Sequence, residues 1–314
     1  MKTILITSIG SATAVNLLKL LKEEYTIVAI DSNPYGYTAG SMMADVFYQL
    51  PLATNLNYID SLLAVIKKEG VALVIPIHDE EVRTITRNRS LIPVPILASS
   101  DEAIKLFSDK WESAKYIQQL GVDIPKILYS ADTCNSCIKR KKQSVGSNGI
   151  EIYISGQQPP KSLFKYDYKN EDYFVQELVE GEEYTVDVAA DKYGKPFLVI
   201  PRQRIEVKAG VATKVRIVKD EKLIKLVEKI YANICIPGFS NVQFIKCGEH
   251  CYFIELNCRF GGMSISSTLA AHNYPLELVA HYINGLELPQ GINQFPIKWN
   301  ALVTRYYEEK IYEA

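Results

Sequence analysis

The decapeptide Phe253-Ile254-Glu255-Leu256-Asn257-Cys258-Arg259-Phe260-Gly261-Gly262 places a carboxylate, an amide and a guanidinium on alternate residues, then breaks into a double glycine. Alternate residues of a β-strand share one face. Glu255, Asn257 and Arg259 are therefore expected to point one way, with Ile254 and Leu256 directed into a core. Hard oxygen donors beside a fixed positive charge suit Mg²⁺ and phosphate.

The preceding segment, Asn241-Val242-Gln243-Phe244-Ile245-Lys246-Cys247, alternates with the same period. Gly248-Glu249-His250 reads as a three-residue loop joining two strands into a hairpin. In that register Cys247 faces Cys251, Gln243 faces Glu255 and Asn241 faces Asn257. Directly opposed residues share a face about 5 Å apart. Gln243, Glu255 and Asn257 then form one cluster of oxygen donors, with Val242, Phe244, Ile254 and Leu256 on the other face. A solvated polar face on an ordinary antiparallel pair is the competing explanation. A slip of one residue would turn every donor away.

The chain has 314 residues, 47% hydrophobic, with a formal net charge of −1. That composition gives ample core for two domains or three small ones. No basic excess points to nucleic acid, and no apolar run is long enough to cross a bilayer. Met1 to Ile6 is too short and too β-like for a signal peptide, so a cytoplasmic protein is expected. The six cysteines are too few for a disulfide scaffold in a chain of this size. Cys134-x-x-Cys137 lacks a well-spaced second pair, and His78, His250, His272 and His281 show no metal-ligand spacing. Free structural thiols are expected.

Along the chain, strands over 3–8, 26–30 and 71–77 alternate with helices over 14–21 and 55–68, which implies a parallel α/β sheet. Only Gly10 follows the first strand, so a dinucleotide fingerprint is missing even though Asp31 closes the second. Pro93 and Pro95 punctuate the end of this region. Ser108 is read as the cap of a helix from Asp109 to Leu120. From residue 126 onward the pattern is mostly strands and glycine turns, with helices over 222–233 and 270–284. Pro275 either kinks the last helix or starts its main part. The Tyr-rich tail from Trp299 to Ile311 reads as a final strand packed on the sheet.

Three further segments carry charge. Lys139-Arg140-Lys141-Lys142-Gln143-Ser144-Val145-Gly146-Ser147-Asn148-Gly149 couples four cations to a Gly/Ser loop, where small residues let backbone N–H groups approach phosphate. On its own the segment is more simply explained as a solvated basic hairpin, and it is not a P-loop. Gln176-Glu177-Leu178-Val179, followed by Gly181 and Glu183, reads as strand, turn and strand. Its free backbone groups suit an adenine edge and Glu183 suits ribose hydroxyls; an acidic surface turn is the plainer account. Arg202, Arg204, Glu206 and Lys208 share a strand face that needs solvent or an anion.

Taken in order, these segments resemble the ATP-grasp superfamily, and within it the carbamoyl-phosphate-synthase-like carboxylate–amine ligases, over nearly the whole chain. The signals are Ile75-Pro76-Ile77-His78-Asp79-Glu80-Glu81, Asp109-Lys110-Trp111, the Lys-rich strand and flap, Gln176-Glu177 to Asp187, the Arg202-x-Arg204 strand, and Gln243 followed by Glu255-x-Asn257-x-Arg259-Phe260-Gly261-Gly262. The resemblance implies an α/β plus α+β protein. A Rossmann-like, parallel-sheet pre-ATP-grasp domain (1–98) precedes an ATP-grasp fold of two α+β subdomains (99–172 and 173–314).

By the same resemblance, Gln243, Glu255 and Asn257 match Mg²⁺ (or Mn²⁺) ligands and Arg259 a phosphate-proximal arginine. Arg204, on the Arg-x-Arg strand, is carried over with Arg259 as catalytic. Lys110 and Arg140 match phosphate-contacting cations. Gly146, Ser147 and Gly149 match the flap. Gln176, Glu177, Leu178 and Val179 match the adenine hinge, and Glu183 the ribose carboxylate. Three departures stand out. Cys258 replaces a usual proline. Arg140-Lys141-Lys142 replaces Lys-Pro-Arg, leaving open which of Lys139 to Lys142 meets phosphate. The segment from Tyr129 to Arg140 is short for the helix and strand that relatives fit there.

The implied activity is an ATP-dependent carboxylate–amine ligase working through an acyl phosphate and releasing ADP. Its small-molecule partners are a carboxylate and an amine, amino acids being the commonest, with neither nucleic acid nor membrane. His78, Asp79 and Glu80 either hold a substrate ammonium or form a solvated helix start. Homodimerisation is expected from the resemblance alone. A bicarbonate-phosphorylating carboxylase or synthetase component, and a non-catalytic ATP-binding module, are the rival readings.

Overall fold

The computed structural model describes residues 1–130, 136–143, 149–154 and 159–312. Four parallel strands open the chain: β1 (Thr3–Ile6), β2 (Thr26–Asp31), β3 (Val46–Gln49) and β4 (Val71–Ile75), in the order β3-β2-β1-β4. Helices α1 (Ala12–Leu21), α2 (Ala39–Met43) and α3 (Tyr58–Glu69) lie between them. Buried Ile4, Leu5, Ile27 and Val28 explain why these strands are near-continuous apolar runs. Ser11 caps α1 through Ala14 N–H. Gly10 N–H donates to Asp31 (2.8 Å), so that carboxylate ties the β1–α1 loop to β2.

Helix α4 (Asp79–Arg87) follows β4, with His78 as N-cap in a reciprocal capping box with Glu81. Next come α5 (Asp101–Ser108) and α6 (Lys110–Gln119). Helix α5 was not foreseen, and the cap of α6 is corrected. Asp109, not Ser108, accepts from Trp111 and Glu112 N–H and also ends α5. One residue thus closes one helix and opens the next, which an isolated apolar period does not reveal.

A three-stranded antiparallel sheet contains β5 (Cys137–Lys141), β6 (Glu151–Tyr153) and β7 (Tyr173–Glu177), in the order β6-β5-β7. A six-stranded antiparallel sheet contains β8 (Glu182–Ala190), β9 (Pro196–Lys208), β10 (Val211–Ile217), β11 (Gly238–Cys247), β12 (His250–Asn257) and β13 (Leu302–Thr304), in the order β12-β11-β8-β9-β10-β13. Helix α7 (Glu221–Tyr231) precedes β11. The region expected as one helix over 270–284 is two, α8 (Ile265–Ala270) and α9 (Tyr274–Asn284), with Pro275 in the first turn of α9. Pro is tolerated there because that N–H has no helical partner anyway. The expected final strand is β13, paired with β10.

The β11–β12 hairpin pairs Asn241 with Asn257 and Gln243 with Glu255, as read from the sequence. The register then shifts: Phe244 faces Phe253, and Cys247 faces His250 rather than Cys251. A two-residue Gly248-Glu249 turn replaces the three-residue loop, and a bulge at Ile254 absorbs the difference. Phe253, not Ile254, consequently fills the core beside Phe244 (1% exposed each), and Ile254 turns to the cleft described below. Bulges re-aim side chains next to functional sites.

One apolar core joins the first sheet to the large one: Ile4, Ile6 and Leu17 pack in the same cluster as Leu198, Ile200, Phe260 and Tyr274. Phe239 stacks on Phe260 (centroids 4.4 Å) and on Tyr274 (5.8 Å). On the opposite face of the large sheet, α6 and α7 cover Val186, Val188, Val242 and Phe244. Among the described residues no helix is long and apolar enough to cross a membrane, and Cys235, Cys247, Cys251 and Cys258 are free thiols. Cys134, Gly146 and Ser147 lie outside the described residues. Replacing Phe260 by Ala should cost about 3–5 kcal/mol, since a buried ring leaves a cavity on removal. Urea unfolding monitored by circular dichroism measures it; a loss under 1 kcal/mol would show that the shared core does not depend on that stack.

Candidate functional site

The three-stranded and six-stranded sheets and α4–α6 enclose a cleft of about 480 Å³. Lys110, Arg140, Gln176–Val179, Glu183, Arg204, Gln243, Glu255, Asn257 and Arg259 all line it. Of the flap residues, Gly149 (φ +74°) packs on the Lys141 stem and does not line the cleft; Ile150 does.

Glu255 sits at the centre. Its Oε1 accepts from Gln243 Nε2 (3.0 Å) and from Asn257 Nδ2 (3.1 Å). Its Oε2 lies 3.6 Å from Lys110 Nζ and 3.7 Å from Arg140 Nη2. Burial alone would raise the Glu255 carboxyl, but Lys110 and Arg140 outweigh burial and hold it below the usual carboxylate range. Burial lowers Lys110 and Arg140, with Glu255 partly restoring each.

Arg140 is the one of the four consecutive cations that lines the cleft. Strand alternation explains this: Ile138 and Arg140 face inward. Lys139 pairs with Glu151 (2.8 Å), and Lys142 stacks over Trp111 (4.4 Å). Arg140 Nη1 donates to Gln176 Oε1 (3.2 Å) and to Ile254 O (3.3 Å). The carbonyl released by the β12 bulge thus finds a donor from another sheet. Lys110 is placed by the α6 start, where its own N–H donates to Lys142 O (2.9 Å).

On the hinge, Glu177 N–H donates to Lys126 O and Leu178 N–H to Ser136 O, while Val179 N–H has no backbone partner among the described residues. Glu183 is half exposed; Arg204 Nε lies 2.9 Å from its Oε2 with the N–H off the oxygen, and Arg204 Nη2 donates to Gly210 O (3.0 Å). Arg259 makes a two-pronged pair with Asp79 (2.7 and 2.8 Å). Despite burial, Asp79 is held below its ordinary range by Arg259, and Arg259 is raised by Asp79.

The segment His78-Asp79-Glu80 is the start of a capped helix. Asp79 lines the cleft and is engaged by Arg259, Glu80 pairs with Arg83, and His78 caps the helix.

Thr185 on the cleft wall, and Asp187 behind it, were given no role in the sequence reading. Asp187 (0% exposed) grips Arg202 (3% exposed) through two hydrogen bonds, 2.9 and 3.1 Å, and accepts from Ser267. Thr185 shares their face. Extending the two-residue alternation of Glu183-Thr185-Asp187 across to Asn241 and Gln243 would have found them.

One carboxylate, two amide oxygens and two cations fit a magnesium nucleotide. Mg²⁺ is usually held by one or two carboxylates plus phosphate oxygens. Lys110 and Arg140 both lie beside Glu255 on the cleft wall, where their positive charge suits the oxygens of a phosphate chain. No group of three or more His, Cys, Asp or Glu among the described residues offers a rival metal site.

Residues 107–263 match the model of an ATP-grasp domain, and residues 4–92 that of a PylC-like N-terminal domain. A tyramine–L-glutamate ligase of Methanocaldococcus jannaschii is 25% identical over 64% of this chain and 59% of its own length. The large chain of carbamoyl phosphate synthase from Campylobacter jejuni is 30% identical over 36% of this chain and 10% of its own. The chain thus spans less than two thirds of either curated relative. Among solved structures, the biotin carboxylase domain of Hydrogenobacter thermophilus 2-oxoglutarate carboxylase, in complex with MgADP and bicarbonate, superposes with a TM-score of 0.75 at 15% identity, covering 94% of this chain and 72% of that one. The N5-carboxyaminoimidazole synthetase of Staphylococcus aureus, complexed with ADP, gives 0.76 at 13% identity, covering 97% and 82%. These two share the fold. With the ATP-grasp model matching half of its residues, this chain belongs to the ATP-grasp family.

Proposed function

We propose that the chain is an ATP-dependent carboxylate–amine ligase that makes an amide bond through an acyl phosphate and releases ADP and orthophosphate. The observation that carries this is the Glu255 cluster: one buried carboxylate, two amides and two cations on the floor of a nucleotide-sized cleft. Support comes from the tyramine–L-glutamate ligase, a relative named for joining an amine to a carboxylate.

Gln243, Glu255 and Asn257 hold Mg²⁺ or Mn²⁺, which when bound neutralises phosphate charge. Lys110 and Arg140 hold the phosphate chain. Val179 N–H and the Gln176–Val179 edge receive the adenine, and Glu183 the ribose. A substrate carboxylate oxygen attacks the γ-phosphorus, the β–γ bond breaks, and ADP leaves. The amine then attacks the acyl carbon, gives up a proton, and displaces orthophosphate. Arg259, fixed by Asp79, and Arg204, fixed by Glu183, stabilise the charge on the transferring group. The protein mainly positions the reactants and compensates charge.

The test is Mg·ATP turnover against single and paired amino acids and amines, including L-glutamate with tyramine, scoring ADP against AMP. ADP formed only with a carboxylate and an amine together is the expected result; AMP overturns the mechanism. ADP release with bicarbonate and no amine would transfer the assignment to a bicarbonate-phosphorylating enzyme. Glu255→Gln should lower turnover by about 10²–10³, the usual cost of losing one such contact, with an unchanged circular dichroism spectrum. Full activity in that variant would refute the cluster's role.

Lys110 supplies a pH test. Its pKa is lowered by burial, so the ammonium is lost as pH rises, before the ordinary lysine value of 10.5. The free-enzyme profile, kcat/KM for Mg·ATP, should fall on the alkaline side below that value. Lys110→Arg should push the fall to higher pH. An identical alkaline limb in the variant would show that Lys110 does not set it.

A further inference from the structure

Three buried polar atoms of cleft-lining residues have no hydrogen-bond partner among the described residues: Arg204 Nε, which lies beside the Glu183 carboxylate, and Arg202 Nη1 and Thr185 Oγ1, which have no such charge partner of their own. The last two are neighbours, because Thr185 on β8 lies directly across from Arg202 on β9. A buried unpaired donor costs the desolvation of the group, so a matched pair at one point of a cleft calls for a ligand.

The arginine is built to present that edge. Its Nε and Nη2 are both taken by Asp187, and Asp187 is itself held by the Ser267 hydroxyl. The guanidinium cannot turn, and Nη1 is what remains. Thr185 also lies across from Gln243 on β11, so Glu255, Gln243, Thr185 and Arg202 form one row over four adjacent strands. Neighbouring strands are about 4.8 Å apart. Thr185 therefore stands one strand from the Gln243–Glu255 cluster, and Arg202 about 10 Å from it.

Charge points the same way. Asp187 balances Arg202, but Arg305 reaches the same corner, donating to Gly262 O, and makes no ion pair among the described residues. Burial and the nearby Arg202 lower the pKa of Arg305, as expected where positive charge is in excess. The double glycine forms the edge of this corner: a Cβ on Gly261 would meet Asn241 Nδ2 at 3.0 Å and lie 3.7 Å from Arg202 Nη2.

We propose that Thr185 and Arg202 form the oxyanion subsite that receives the carboxylate to be phosphorylated, with Thr185 Oγ1 and Arg202 Nη1 donating to its oxygens. This rests on the ligase reading above. It places the acceptor oxygen on the same sheet face as the Gln243–Glu255 pair and one strand from it. An organic carboxylate and bicarbonate share the recognising chemistry.

The experiment is isothermal titration calorimetry of the standard amino acids, succinate, benzoate and bicarbonate into protein saturated with Mg·ADP. Wild type is compared with Thr185→Val, which keeps shape and removes only the hydroxyl. At least one carboxylate should bind wild type, and Thr185→Val should weaken it about tenfold or more, the size of one hydrogen bond to a charged group, while the Kd for Mg·ADP stays within twofold. Arg202→Lys, which keeps the charge but loses the fork, should weaken it further. Binding by bicarbonate alone, weakened by Thr185→Val, assigns the subsite to bicarbonate. Equal carboxylate affinity in Thr185→Val, or no binding of any member of the series to wild type that still binds Mg·ADP, overturns the proposal. Failure of wild type to bind Mg·ADP would instead overturn the ligase reading, and is read from a separate titration.

Discussion

The arrangement depends on keeping one carboxylate ionised in a buried place. Glu255 is desolvated, yet two cations from different elements and two amides from its own hairpin hold its charge. Breaking a buried ionic group by removing one partner costs about 3–5 kcal/mol. The cluster therefore fixes where β5 of the three-stranded sheet, the start of α6 and the β11–β12 hairpin sit relative to one another. Arg140 does most to connect them, since it reaches Gln176 on β7 as well as Ile254 and Glu255 on β12.

A second constraint ties the cleft to the first sheet. Asp79, at the first turn of α4, holds Arg259 just beyond β12, and the Phe239–Phe260–Tyr274 stack lies beside that loop within a core shared with β1 and α1. A displacement of the first sheet would therefore move Arg259. The capping box of His78 and Glu81 makes the geometry of Asp79 depend on the helix start rather than on loop chance.

The chain's own text carried much of this. Period-two alternation in two segments joined by a glycine turn fixed the pairing of Gln243 with Glu255 and Asn241 with Asn257, because burial of one face leaves few registers. The bulge at Ile254 was not legible: its carbonyl is taken by Arg140, 114 residues away in sequence, and no local pattern encodes that. The opposition of Cys247 to Cys251 failed for the same reason. Helix α5 was missed because Asp109 serves both α5 and α6, so the boundary shows no break in composition. Arg140 could not be chosen among four cations until strand alternation and the Gln176 contact selected it. The Asp187 grip on Arg202 needs β8 and β9 in register, which single-segment reading does not supply.

The central claim is that a substrate carboxylate takes the γ-phosphoryl group before the amine arrives. Isotope transfer tests it most directly: the carboxylate that supports ADP formation is labelled with ¹⁸O in both oxygens, and the products are analysed by mass spectrometry. One ¹⁸O should appear in orthophosphate and one remain in the amide. Orthophosphate without label would contradict the acyl-phosphate route, and label in AMP would replace it with an adenylate.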